Sequence, residues 1–254
     1  MKVMWYFTHK EILEAWRKHH LLIIGLIFMI FGIESPLIAK ILPDILHSSF
    51  GSNLVINIPQ PTSVDSWQQF YKNITQMGIY VLAIIFSGFM SQEVSQGTLV
   101  NLIAKGLPRF IVVLAKFLVA YLQWCGAILL AFVITWGYTA YYFPDNKSPQ
   151  PLLGLVPLLI FGLFFTALLL LGSTLAVNNY FGFLFAAGSI IALTILNMWK
   201  SVQRWNPVAL MTDNLRLVQG TEKLAHISPA LMLTLGLTIV LVTLTIIIFN
   251  HKRL

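Results

Sequence analysis

The chain has 254 residues, of which 57% are hydrophobic and 10% charged, with a mean hydropathy of +0.80. A soluble domain carries about 25% charged residues, so the composition excludes a water-solvated globule and makes lipid the main solvent. The net charge of +7 is scattered around apolar runs, which argues against nucleic-acid binding and fits positive charge at the cytosolic ends of membrane spans.

Residues 1–20 predict an amphipathic helix lying in the membrane interface. On a helical wheel Trp5, His9, Ile12, Leu13 and Trp16 share one face, while Lys10, Glu11, Glu14, Arg17 and Lys18 fall mostly elsewhere. Trp favours the headgroup layer, and Lys and Arg reach lipid phosphates. Such a helix is either a simple anchor or a mechanical element that moves with a cytosolic partner. His9, His19 and His20 read as interfacial polar residues rather than a metal site.

The first apolar run starts near Leu21 and ends in Glu34-Ser35-Pro36 without a small-residue cleavage pattern. It is expected to be a retained span rather than a signal peptide. A helical crossing needs about 20 mostly apolar residues, and six are expected, at 21–42, 74–90, 110–142, 152–177, 180–198 and 229–249. Together they predict one all-α integral membrane domain over residues 1–254. At about 1.5 Å per residue the third is roughly 50 Å long and should tilt or project beyond the bilayer. A tight turn near Asn178-Asn179 should make the fourth and fifth a hairpin.

Glu34 is the acid deepest in an apolar run. An ionisable group there usually faces water, a cavity or a partner, so it is either an outer-interface acid or a pathway-lining gate. Pro36 frees the carbonyl of Gly32 and favours a kink beside it. Small residues near the hairpin (Gly172, Ser173, Gly182, Ala186) should let helices approach closely. Gln123 and Trp124 have polar groups that would bond a neighbouring helix or a substrate. Cys125 stands alone, which leaves no intrachain disulfide, and reads as a small buried hydrophobe.

An even number of spans places both termini on one side. Lys2, Lys10, Arg17, Lys18, Lys252 and Arg253 assign that side to the cytosol. The segment 199–228 disagrees: it carries Lys200, Arg204, Arg216 and Lys223 against Asp213 and Glu222, yet falls outside. Its mixed apolar content predicts extracytoplasmic interfacial or re-entrant helices.

The connection at 91–109 is short, with an acid at Glu93, a Gly97-Thr98 break, apolar Leu99, Leu102 and Ile103, and a Pro108 stop. It reads as a compact cytosolic knob. Here the chain resembles the permeases of the type-2 ABC exporter family, whose corresponding loop is similar to Glu93, Gly97, Thr98, Pro108, Arg109 and then Lys116. The start is similar too, with Lys10-Glu11, Glu14 and Arg17 before the span and Ser35-Pro36-Leu37 after it. The resemblance implies that 91–108 is a coupling helix seated on a cytosolic ATPase subunit, with Glu93, Gly97, Thr98, Leu102, Pro108 and Arg109 as coupling residues. Trp5, Lys10, Glu11, Trp16 and Arg17 would mark the interfacial helix, and Glu34 with Pro36 a possible gate. It also implies pairing with a second permease, identical or not, in a bacterial cell membrane.

No G-x-x-x-x-G-K-[ST] occurs, so ATP and its magnesium would be bound by a separate chain, and this chain needs no cofactor of its own. No H-E-x-x-H or G-x-S-x-G occurs either, which leaves an intramembrane hydrolase without a motif. An ion-coupled secondary transporter is the rival reading; it would need inverted repeats and midplane ionisable groups, and neither is evident. Export of a peptide, antibiotic or other amphipathic substrate is the function expected.

Overall fold

The computed structural model describes residues 2–50 (side chains to 45), 60–175 and 180–252. All regular structure among them is helical: α1 (Lys2–Arg17), α2 (His20–Phe50), α3 (Ser63–Ser95), α4 (Thr98–Ala104), α5 (Arg109–Tyr142), α6 (Pro151–Leu175), α7 (Phe181–Leu196), short turns α8 (Lys200–Gln203), α9 (Ala209–Thr212) and α10 (Asn214–Val218), and α11 (Leu224–His251). Among the described residues, five helices are long and apolar enough to cross a membrane: α2 over His20–Ile45, α3, α5, α6 and α11. The chain thus has the build of a multi-pass membrane protein.

A sixth helix of that length is not found among the described residues. The fifth expected span is α7, 16 residues long, or about 24 Å at 1.5 Å per residue. That is shorter than a hydrocarbon core about 30 Å thick, yet α7 still runs from the end of the bundle where Gly182 meets Ser87 toward the end that holds the 199–223 segment, where Asn206 donates to the Leu193 carbonyl. The turn expected at Asn178-Asn179 lies outside the described residues.

The second span also begins earlier than the sequence reading put it. Thr62 and Asp65 start α3: the Asp65 carboxylate accepts from the Thr62 amide at 2.7 Å and its hydroxyl at 2.9 Å, the acid at the third helical position closing the first turn. Trp67, Phe70, Tyr71 and Ile74 then recur at helical spacing and are buried. A wide π turn at Ile74–Gly78 joins this amphipathic start to the apolar part of α3.

Aromatic packing fills the centre. Trp67 lies 5.0 Å from Phe132 and Trp124 5.9 Å from Phe165, ring centre to ring centre. Leu210, Leu217 and Val218 of the 199–228 segment belong to the same core. Three close approaches depend on glycine. A Cβ on Gly32 would stand 2.8 Å from the Ala131 carbonyl, so only glycine lets α2 meet the α5 backbone there. A Cβ on Gly182 would stand 2.6 Å from the Ser87 carbonyl and one on Gly172 3.0 Å from the Gly182 Cα, so the small residues bring α6, α7 and α3 together.

The bundle has two distinguishable ends. At one, α1 meets the 91–108 connection, and Lys252 donates to the Thr174 carbonyl at 2.7 Å, joining the ends of α11 and α6. At the other, Asp145 accepts from the Ser63 amide at 2.7 Å, and the Gln150 amide donates to the Val218 carbonyl at 3.1 Å. The described N-terminal and C-terminal helix ends therefore share one end of the bundle, and the 199–223 segment packs at the other.

Candidate functional site

Where α1, α3 and α5 converge, six charged side chains form one network. Lys116, seven residues into α5, places its Nζ 2.9 Å from Glu11 Oε2 and 3.0 Å from Glu93 Oε1. Lys10 Nζ reaches Glu11 Oε1 at 3.0 Å, Glu14 Oε2 at 2.7 Å and Glu93 Oε1 at 3.0 Å. Lys18 closes the outer edge on Glu14 at 2.7 Å. The inner members are dry: Lys116 is 2% exposed, Glu93 5% and Glu11 7%. Glu93 Oε2 has no hydrogen-bond partner among the described residues.

Three lysines and three glutamates balance. The carboxylates of Glu11, Glu14 and Glu93 gather within 4.8 Å of one another, but the ammonium groups already occupy that space and cancel the charge that would draw a divalent cation. The cluster is an ion-pair network, not a metal centre. Burial disfavours the charged form of Lys10, yet Glu11, Glu14 and Glu93 outweigh it and raise this lysine above its ordinary range. Burial likewise pushes Glu14 up, and the hydrogen bonds from Lys10 and Lys18 more than reverse it, bringing the carboxyl down to about 2.

The local sequence explains how three elements present these groups. Phe7, Glu11 and Ala15 stand at i, i+4 and i+8, one stripe of a helix, and all three are buried. The Trp5–Trp16 face points away from the protein, with Trp5 71% and Trp16 70% exposed. Thus α1 turns the aromatic face of the wheel outward and a different stripe, which includes Glu11, inward. Glu93 lies in the last turn of α3. Gly97 follows in the left-handed region at φ 69°, a conformation open mainly to glycine, and the Thr98 hydroxyl donates to the Glu93 carbonyl at 3.1 Å. Gly106, at φ 94°, ends α4. Leu99 is buried in an apolar cluster with Phe7, Val112 and Phe249, so α1, α4 and the start of α5 are one packed body.

The other expected site residues are placed as follows. Leu102 is half-buried against the same cluster, and Pro108 is exposed just before α5. Arg109 stands apart from the network: its Nη1 donates to the carbonyls of Phe249, Asn250 and Lys252 at 2.8, 2.9 and 2.9 Å. It satisfies orphan carbonyls at the end of α11 with a cation where the helix dipole favours one. Arg17 is exposed. Glu34 is half-buried and makes no ion pair among the described residues, and Pro36 is buried. The carbonyl that Pro36 leaves without its helical partner, that of Gly32, accepts from the Thr135 hydroxyl at 3.1 Å, which makes the proline a seam between α2 and α5.

Two hollows flank the network. A groove of about 440 Å³ between α1 and α4 is lined by Val3, Tyr6, Lys10, Leu102, Lys105 and Leu107 among others. An apolar groove of about 310 Å³ runs between the α1–α2 junction and α5, past Ile12, Ile24 and Leu130 to Gln123. Gln123 is buried and neither atom of its amide has a partner among the described residues. Trp124 Nε1 is equally unpartnered and faces Gly162.

Sequence reasoning missed the pairing itself. The signal was present: Lys116 is a cation inside an apolar run, and such a group requires a partner. Models of known protein families do not match the chain, and no curated protein matches it.

Proposed function

We propose that the chain is the permease subunit of an ATP-driven exporter of the type-2 ABC kind, set in a bacterial cell membrane with both termini in the cytosol. Its partners would be a second permease and two cytosolic ATPase subunits that bind ATP and magnesium. It performs no covalent chemistry; it reorients its helices to pass a peptide-like, antibiotic-like or otherwise amphipathic substrate outward.

The observation that carries this reading is the network of Lys10, Glu11, Glu93 and Lys116. A chain that borrows its energy needs a part that receives a push and passes it to a span. The buried ion pairs tie the interfacial helix and the 91–108 knob to α5, so a displacement of the knob moves α1 and α5 with it. The groove between α1 and α4 offers a seat for a partner's side chain. The exposed residues of the knob, Gln96, Asn101 and Lys105, are the ones a partner would touch, while Glu93 and Arg109 act inward.

The test is co-purification of the tagged chain from mild detergent, with ATPase assay of the eluate. A Walker-motif ATPase is expected with wild type and lost with Asn101→Glu/Lys105→Glu, whose substitutions face solvent. A chain that purifies alone, with no ATPase from its own cells, overturns the reading and favours an ion-coupled carrier.

A further inference from the structure

The basic residues of 199–228 have no role in the coupling network, and all but Lys223 converge. Lys200, Arg204, Arg216 and His226 line one cavity of about 300 Å³ at the bundle end opposite α1, with Asp213 beside them and Ile227 at its wall. Glu222 pairs with Arg216 at 3.0 Å. Lys200 and Arg204 have no carboxylate partner among the described residues, so the cavity keeps an excess of positive charge.

Three features select the kind of ligand. His226 and Ile227 belong to the first turn of α11, a helix of 28 residues, whose positive dipole end adds to the side-chain cations. Two guanidinium groups suit a tetrahedral oxyanion through forked hydrogen bonds. Beside the cavity Met198, Trp199 and Trp205 are exposed, an apolar and aromatic surface of the kind that sits at headgroup depth. We infer that this cavity is a binding site for a phosphate group, carried by a lipid headgroup or free in solution, at the bundle end opposite the coupling network. Asp213 and Glu222 lower the positive charge of the cavity without cancelling it, since Lys200, Arg204 and Arg216 stand against the two of them. The excess basic charge that violates the positive-inside tendency is then the price of a binding site.

The inference goes beyond the export reading and does not depend on it. Thermal unfolding of the purified full chain in non-ionic detergent would be followed with dioctanoyl phosphatidic acid, dioctanoyl phosphatidylcholine and inorganic phosphate. Three proteins serve: wild type, Lys200→Gln/Arg204→Gln, and Lys72→Gln/Lys147→Gln, which removes the same charge from exposed positions elsewhere. A saturable stabilisation of wild type by phosphatidic acid is expected, with its apparent Kd raised at least tenfold in the first variant and unchanged in the second. Weak or absent response to inorganic phosphate assigns the source to lipid; an equal response assigns it to free phosphate. The site is refuted if the first variant responds as wild type does, if the control loses as much, or if no ligand stabilises wild type. Equal unliganded midpoints for the three proteins would show that folding is unaffected.

Discussion

Lys116 is held by two carboxylates that come from elements far away in sequence, Glu11 lying 105 residues before it. Removing one partner of a buried pair leaves an uncompensated charge and costs about 3–5 kcal/mol. Lys116→Met, which leaves buried Glu11 and Glu93 with only the half-exposed Lys10, is expected to lose up to that much, seen as a large fall in the thermal unfolding midpoint. Glu14 sits at the wetter edge and carries the pH dependence. Its carboxyl is depressed to about 2 from an ordinary 4.5, so its contribution is complete above the ordinary value and is lost as pH falls toward the lower one. Lys10 is raised, so its contribution is complete below the ordinary lysine range and is lost only in strong alkali. The stability difference between wild type and Glu14→Gln should therefore be flat through neutrality, about 1 kcal/mol or less, and vanish as pH is lowered from 4.5 to 2. Unfolding midpoints measured across that window check the sign.

At the scale of elements, the left-handed glycines set the shape of the knob. No atom lies within 4 Å of where a Cβ on Gly97 would sit, so a substitution there meets only backbone strain. Gly97→Ala should cost about 1–2 kcal/mol and Gly97→Asn less, since Asn tolerates that region better; limited proteolysis across 91–108 would report the loosening. Much of this level was legible in the sequence. The apolar runs located the long helices, and the Gly97-Thr98 break located the start of α4, whose end falls at Gly106, two residues before the expected stop at Pro108. The start of α3 was not recognised because Asp65 and Lys72 made 63–73 look like a solvent loop, although Trp67, Phe70, Tyr71 and Ile74 carry a helical period. The inner face of α1 was less accessible still. The wheel assigns the Trp5–Trp16 face to the membrane interface, and nothing within residues 1–20 marks Glu11 as the acid that a lysine from another helix buries.

At the scale of the molecule, the pairing of helix ends decides topology. Arg109, the 91–108 connection and both described chain ends share one end of the bundle, while Lys147 and the phosphate-site candidates occupy the other. In a Cys125→Ser background, Gln96→Cys should react with a membrane-impermeant thiol reagent only after cells are opened, and Lys147→Cys in intact cells. Reactivity of both from one side would contradict the bundle, and the reverse pattern would invert the proposed orientation. The network and the basic cavity escaped a sequence reading for one reason: each is assembled across tens of residues of chain, and composition records the charges without saying which of them meet.

The grip of Arg109 on the last turn of α11 restricts how these helices can move. One guanidinium holds the carbonyls of Phe249, Asn250 and Lys252, and a piston displacement by a single turn, about 5.4 Å, would break all of those bonds at once. A tilt pivoting about that end would preserve them. The start of α5 and the end of α11 thus form a ball joint, and separation between these two helices is restricted to a hinge that opens widest at the opposite end, beside the basic cavity.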